Sequence, residues 1–230
     1  MRLICSRRLP RSFPREIDCV GSVKKKAIGV FVSSSDANLP ASRSMAERLT
    51  EAVSSVASLF QKQQAEYALI GGLSVAFRGH MRATEDVDFL LHVPALKLPE
   101  LFEAMIAAGC PVELLEAIRQ WNTDGMLVVR WPSGVQIDLL KPVIPVFHRI
   151  LERARDEPFG DQTLRVVDAE GLLLLKLIAF RPLDQEDIRG ILLANAGRLD
   201  LDWVRREARL AGLDEERLAA FEVFVRDFSV

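Results

Sequence analysis

The sequence predicts an α+β fold, in which a small mixed β-sheet with flanking helices over residues 45–167 is followed by a helical C-terminal part over residues 168–230. Two observations predict this fold class. Short apolar segments bounded by glycine or proline, which are typical of strands, occur only before residue 168. After that point the apolar residues recur every three or four positions, as they do on one face of a helix.

The first half of the predicted sheet is interleaved with helices. An amphipathic helix is predicted after Ser44, which is suited to cap it, because apolar residues recur at Leu49, Val53, Val56 and Leu59. "EYALI" then predicts a strand that ends at Gly71-Gly72, and "LSVAFRG" predicts a short helix that Gly79 ends. "TEDVDFLLHV" predicts a strand closed by Pro94, and "LPELFEAMIAAG" a helix with Gly109 past its end.

The second half begins with a predicted hairpin, "GMLVVRW" and "GVQIDLL", on either side of Pro132-Ser133-Gly134. A short helix and a strand, "TLRVV", follow. Asp168 is then suited to cap a long helix, with Glu170 in its first turn. Three more helical patterns complete the chain: "DQEDIRGILLANAG", "LDWVRREARLAG" and "DEERLAAFEVFVRDF".

The composition is that of an ordinary globular protein. Hydrophobic residues make up 49% of the chain and charged residues 27%, and no apolar run approaches the roughly 20 residues that a membrane helix needs. The three cysteines are too scattered for a disulfide framework or a zinc site. We therefore expect a cytoplasmic protein with no membrane partner.

Residues 1–44 form a basic leader, with nine Lys and Arg against three acidic residues. We expect this leader to be disordered, because it contains Ser and Pro and few acids. A nucleic-acid arm and a targeting peptide are the alternatives. The remaining residues carry 21 basic and 29 acidic side chains, which is opposite to the usual charge of a nucleic-acid-binding surface.

Two carboxylates interrupt the apolar strand in "EDVDFLL". Asp86 and Asp88 project from the same face, because strand side chains two residues apart do so. Adjacent carboxylates raise each other's pKa unless a cation neutralises them, and Mg²⁺ prefers oxygen ligands. Asp138 is again a single acid in an apolar strand, so a hairpin beside the first strand would bring three carboxylates together for metal-assisted phosphoryl chemistry. The alternative is three solvated acids on an open sheet face.

The pair Gly71-Gly72 lies between a predicted strand and a predicted helix. Backbone N–H groups at such a turn can approach a phosphate closely, because glycine has no side chain. A plain tight turn is the alternative interpretation. The sequence contains neither the Walker motif nor G-x-G-x-x-G, which excludes the P-loop and Rossmann classes.

Together these residues resemble the signature of the nucleotidyltransferase superfamily typified by DNA polymerase β. "IGG", thirteen residues and "DVDF" follow that signature of hydrophobic-Gly-[Gly/Ser] and Asp-hydrophobic-[Asp/Glu]-hydrophobic. The form of the motif around Gly71 and Arg82 is similar to the minimal nucleotidyltransferases of the AbiEii toxin type. "KLIAFRPLDQEDI" is similar in order, and nearly in spacing, to that family's helical K-x-x-A-x-x-R-x-K-D-x-x-D-I, but Leu183 stands where relatives usually have lysine.

The resemblance implies an enzyme that uses Mg²⁺ or Mn²⁺ to move an NMP group from an NTP to a hydroxyl on a protein, an RNA or a small molecule. It implies that Asp86, Asp88 and Asp138 bind the metal, that Asp138 helps to activate the hydroxyl, and that Lys176 neutralises developing charge. The residues it assigns to the nucleotide are Gly71, Gly72, Ser74, Arg82, Thr84, Arg181, Asp184 and Asp187.

Several alternatives remain open. Lys176 within "LLLLKLIAF" is also explained by a buried stem with a solvated amine, and Arg181, Asp184 and Asp187 by a surface ion-pair cluster. The AbiEii resemblance implies the toxin of a toxin–antitoxin pair, with an antitoxin as partner. The alternative function is a non-catalytic nucleotide- or partner-binding protein on the same fold.

Overall fold

The computed structural model describes residues 43–228. The strands in this range are β1 (Glu66–Ile70), β2 (Asp86–His92), β3 (Met126–Arg130), β4 (Gln136–Leu140), β5 (Arg155–Phe159) and β6 (Gln162–Val166). The helices are α1 (Met45–Lys62), α2 (Gly71–Phe77), α3 (Leu98–Ala107), α4 (Leu114–Asp124), α5 (Pro145–Arg153), α6 (Ala169–Ala179), α7 (Pro182–Ala194), α8 (Leu201–Leu210) and α9 (Glu215–Phe228).

The strands form one mixed sheet in the order β3-β4-β2-β1-β6-β5. Strand β2 runs parallel to β4 and antiparallel to β1. The hairpin of β3 and β4 therefore lies directly beside β2, and β1 lies on the other side of β2. Together with the helices that follow the last strand, this sheet confirms the predicted α+β fold class.

Helices α1, α3 and α4 cover one face of the sheet. Strand β2 contributes Val87, Phe89 and Leu91 to this face, and all three side chains are buried. Phe89 packs edge-on against Phe60 of α1 with ring centroids 5.3 Å apart. Because side chains alternate along a strand, Asp86 and Asp88 face the opposite side.

The opposite face is covered only along part of its length. Leu90 of β2 and Ala68 of β1 join an apolar core with helices α5 to α9, to which α6 contributes Leu173 among others. Asp86 and Asp88 precede Leu90 on this face and remain partly exposed. The two acids therefore lie where the helical cover of the sheet ends.

Most predicted elements are confirmed, including the caps. Ser44 accepts the N–H of Glu47 as the N-cap of α1, and Asp168 accepts the N–H of Gly171 as the N-cap of α6. Helix α2 begins at Gly71, two residues before the predicted start. Helix α4 and strand β5 were not predicted.

The expected leader lies outside the described residues, apart from residues 43 and 44. Within the described range, none of the helices has the length and apolarity needed to cross a bilayer.

Candidate active site

Three carboxylates converge on the partly covered face of the sheet. Asp86 and Asp88 come from β2, and Asp138 of β4 is paired in register with Asp88. Oxygen atoms from the three side chains all lie within 4.8 Å of one another. The parallel pairing of β2 and β4 thus produces the cluster that the positions of the acids predict.

The cluster concentrates negative charge that the described residues do not neutralise by direct contact. Among residues 43–228, no Lys or Arg forms an ion pair with any of the three carboxylates. Burial and the neighbouring carboxylates of Asp86 and Asp138 raise the pKa of Asp88 to about 7. Burial also raises the pKa of Asp138, against a hydrogen bond that lowers it. Lys176 and Arg181 offset part of this charge without direct contact, and the three oxygen ligands fit a divalent cation such as Mg²⁺ or Mn²⁺.

Two polar neighbours fix the orientation of the acids. The Thr84 hydroxyl donates to Oδ1 of Asp86 over 2.6 Å, and the Gln136 amide donates to Oδ1 of Asp138 over 2.8 Å. Gln136 was not among the predicted site residues. The sequence could have predicted Gln136, because it lies two residues before Asp138 on the same strand and such residues share a face.

The glycine turn packs directly against the acids. Gly71 has a φ of +69°, and a Cβ built on it would lie only 1.8 Å from Oδ2 of Asp88. A Cβ on Gly72 would lie 2.7 Å from the Thr84 hydroxyl and 2.9 Å from the guanidinium of Arg82. Both positions therefore require glycine for close packing, which a plain turn would not explain.

Ser74, which the resemblance assigns to the nucleotide, is hydrogen-bonded within the protein. Its side chain is fully buried, and its hydroxyl donates to the carbonyl of Gly71 over 2.8 Å. In the structure Ser74 therefore stabilises the glycine turn from within α2.

Five charged residues lie beside the acids and form what we call the ion cluster. Its members are Arg82 of the α2–β2 loop, Lys176 of α6, Arg181 before α7, and Asp184 and Asp187 of α7. Burial alone would raise the pKa of Asp184, but hydrogen bonds and charges from Arg181 and Lys176 outweigh it and lower that pKa. The cluster is buried at its centre, so the surface ion-pair alternative does not describe it.

A cleft of about 150 Å³ connects the acids with the ion cluster. The site residues that line it are Gly71, Asp88, Asp138, Lys176, Arg181 and Asp184, and its remaining wall is apolar: Ile70, Met126, Leu140, Leu172, Leu175 and Ala179. The arrangement can hold a metal ion and a polyphosphate side by side, with the apolar wall next to them.

Comparisons with solved structures return nucleotidyltransferase-like proteins at low identity. An antigenic nucleotidyltransferase-like protein from Paracoccidioides brasiliensis is 18% identical, with a TM-score of 0.48 over 76% of this chain and 93% of that chain. The antibiotic-resistance factor ANT(2'')-Ia is 13% identical, with a TM-score of 0.49 over 79% of this chain and 98% of its own. At these scores the likenesses assign no role to any residue here.

The comparison with protein families is more informative. No curated protein sequence matches the chain. The model of a family described as "nucleotidyl transferase of unknown function (DUF2204)" matches residues 49–220 and thus spans the sheet, the acids and the ion cluster. The chain therefore belongs to this nucleotidyl transferase family.

Proposed function

We propose that the protein transfers an NMP group from an NTP to an acceptor hydroxyl, in a reaction that depends on a divalent cation held by Asp86, Asp88 and Asp138. The observation that carries this proposal is the convergence of the three carboxylates, within 4.8 Å of one another, against a glycine turn. Membership of a nucleotidyl transferase family supports it. Without a cation the cluster costs stability at neutral pH, because burial and the neighbouring carboxylates raise the pKa of Asp88 to about 7.

The reaction is an in-line exchange at the α-phosphorus. The acceptor oxygen forms a bond to the α-phosphorus, the bond from that phosphorus to the bridging oxygen breaks, and pyrophosphate leaves with the bonding electrons. A bound divalent cation supplies positive charge for the triphosphate and the attacking oxygen. Asp138 accepts the hydroxyl proton, which is the role that the family resemblance implies for this third carboxylate. The backbone at Gly71 and Gly72 approaches the phosphates without steric hindrance.

The direct test is incorporation of label from each of the four NTPs, with Mg²⁺ or Mn²⁺, into total RNA, total protein and small hydroxyl compounds. We expect Asp86→Asn and Asp88→Asn to reduce transfer about 10²–10³-fold, as loss of one electrostatic group in a site typically does. Asp161→Asn is the matched control, because Asp161 is exposed in the turn between β5 and β6.

Full transfer by Asp88→Asn, or no transfer from any NTP, would contradict the proposal. Tight NTP binding that needs no metal and gives no product would instead favour a non-catalytic nucleotide-binding protein. The expected cytoplasmic location agrees with a supply of NTPs and with the scattered cysteines.

The acceptor and the toxin role are finer proposals within this reaction. A toxin would slow bacterial growth when it is expressed from Met45, and co-expression of a neighbouring antitoxin would restore growth. Asp88→Asn expressed to the same level is the matched control and should be harmless. Equal growth of cells with the wild type and with this variant would remove the toxin role and leave the transfer reaction in place.

A further inference from the structure

Lys176 is enclosed by two carboxylates. Its side chain is only 6% exposed, and Nζ lies 3.0 Å from Oδ1 of Asp184 and 2.7 Å from Oδ2 of Asp187. Both aspartates are buried, at 1% and 0% exposure of their side chains. A buried amine paired with two carboxylates is held strongly, because the surroundings screen little of the attraction. Lys176 borders the cleft, but a phosphate that approached Nζ would also meet the negative charge of both aspartates.

The same two aspartates connect Lys176 to both ends of the ion cluster. Oδ1 of Asp187 lies 2.9 Å from Nε of Arg82, and Oδ2 of Asp184 lies 2.6 Å from Nε of Arg181. The Arg82 contact is an ion pair rather than a directed hydrogen bond, since neither partner atom satisfies hydrogen-bond geometry. Lys176 is therefore the central charge that joins the loop before β2 to the start of α7.

The Arg82 end of the cluster leads directly to a proposed metal ligand. Arg82 lies against Gly72, as does Thr84, two residues further along the chain. The Thr84 hydroxyl in turn holds Asp86. Displacement of Lys176 would thus release Asp187 and Arg82, and with them the loop that orients Asp86.

The side chain of Arg181 is far more exposed to solvent than that of Lys176. Its side chain is 63% exposed, and it lines the cleft together with Asp88 and Asp138. Its contacts with Asp184 use Nε and Nη2. Because a guanidinium has five N–H donors, the other donors remain available for a phosphate.

We propose that Lys176 is a positioning residue that holds the ion cluster together, and that Arg181 is the cation that contacts the triphosphate. This assignment rests on the proposed function and replaces the charge-neutralising role that the family resemblance implies for Lys176. It follows from the geometry of the cluster, in which the buried cation is paired with two carboxylates and the exposed cation with one.

Three variants test the assignment: Lys176→Met, Lys176→Met/Asp184→Asn and Arg181→Gln. For each we would measure the thermal midpoint without ligand, the Kd for each NTP with Mg²⁺ by calorimetry, and the kcat and KM of transfer. The double variant removes a charge of each sign, keeps an oxygen acceptor at position 184 for the Arg181 N–H, and leaves Asp187 paired with Arg82.

We expect Lys176→Met to lower the thermal midpoint and kcat, and the double variant to recover both, with an NTP Kd within about threefold of the wild-type value. Arg181→Gln removes hydrogen bonds to buried Asp184 and should lower the midpoint less than Lys176→Met does, because Arg181 is exposed, and it should raise the NTP Kd and KM about tenfold or more. That split separates a residue that contacts the ligand from one that supports the site.

Two results would overturn the assignment. One is a double variant that recovers its midpoint but not its NTP affinity, because Lys176 would then contact the ligand. The other is an Arg181→Gln protein with unchanged NTP affinity. If the wild type binds no NTP, the proposed function fails instead, and an unchanged midpoint in Lys176→Met would still refute the positioning role.

Discussion

At Gly71 the backbone has a φ of +69°, and a Cβ would lie 1.8 Å from Oδ2 of Asp88. We expect Gly71→Ala to reduce transfer at least about 100-fold, because the methyl group would displace a proposed metal ligand. It would also cost about 1–2 kcal/mol of unfolding free energy, since alanine is strained at this φ. Transfer rates and denaturant unfolding would measure the two effects separately.

Gly160 supplies the control for the Gly71 prediction. It has a φ of +59°, and nothing lies within 4 Å of a Cβ built there. Gly160→Ala should therefore show only the loss of stability that comes from strain at positive φ, together with full transfer activity. If both variants lost activity equally, backbone strain rather than contact with Asp88 would explain the result.

Asp88 makes stability depend on pH. Its pKa in the folded protein is about 7, because of burial and then the carboxylates of Asp86 and Asp138, whereas an aspartate in an unfolded chain ionises near about 3.9. The pKa of Asp88 is higher in the folded protein than in the unfolded chain, so the protonated form stabilises the fold. This stabilisation is fully present below about pH 3.9 and is lost as the pH rises through 7. Ionised Asp88 therefore opposes folding at neutral pH.

We accordingly expect Asp88→Asn to raise the thermal midpoint of the metal-free protein, because the amide carries no charge. The gain should be several degrees at pH 8, at about 2–4 °C for each kcal/mol, and clearly smaller at pH 5. Circular dichroism melts with a chelator present would measure it. A loss at pH 8, or the same gain at both pH values, would contradict this view of Asp88.

At the scale of elements, the loop after α2 packs against α7 through His80 and Gly190. A Cβ on Gly190 would lie 2.2 Å from Cγ of His80. Glycine to alanine inside a helix normally stabilises by about 1 kcal/mol, but we expect Gly190→Ala to destabilise by about 1–3 kcal/mol, because the methyl group overpacks this contact. The loop also carries Arg82 and Thr84, so transfer should fall as well.

A double-mutant cycle would test the contact between His80 and Gly190. His80→Ala/Gly190→Ala leaves room for the new methyl group, so a coupling energy of about 1 kcal/mol or more should appear in denaturant unfolding. Stabilisation by Gly190→Ala alone would show that the loop and α7 do not pack in this way.

The elements that sequence patterns missed have physical explanations. Strand β5, "RDEPF", has a proline and polar residues and lies at the sheet edge, so only its pairing with β6 defines it. Helix α4 has apolar residues at Leu114, Ala117, Ile118 and Trp121, a helical spacing that could have been recognised. Its N-cap, however, is the side chain of Glu113 rather than one of the usual short polar residues.

The acids of the site were easier to predict than its cations. Two-residue periodicity places Asp86 and Asp88 on one face, and the turn at Pro132-Ser133-Gly134 predicts the hairpin that carries Asp138. No local pattern shows that α7 folds back so that its two aspartates enclose Lys176. The turn runs through Phe180, which ends α6 with a φ of +52°. Pro182 marks the break between the helices but not the direction in which α7 leaves.

At the scale of the molecule, the site exists only when distant segments pack together. Its residues come from the turn after β1, the start of β2, the hairpin of β3 and β4, and the α6–α7 pair. An apolar core shared with the sheet holds the α6–α7 pair in place. A cation bound by the acids therefore binds the folded state and not the unfolded chain, which links metal affinity to global stability.

This linkage gives an opposite pH dependence for the metal-free and metal-bound protein. Metal binding requires ionised Asp88, so the apparent affinity for Mn²⁺ or Mg²⁺ should rise about tenfold from pH 6 to pH 8, across its pKa of about 7. The increase in thermal midpoint on addition of metal should also grow from pH 6 to pH 8. Over the same pH range the metal-free protein loses the stability that protonated Asp88 contributes. Melts with and without metal at each pH would measure both. Asp88→Asn is the control: an increase in that variant as large as in the wild type, or a wild-type increase that is independent of pH, would exclude Asp88 as a metal ligand.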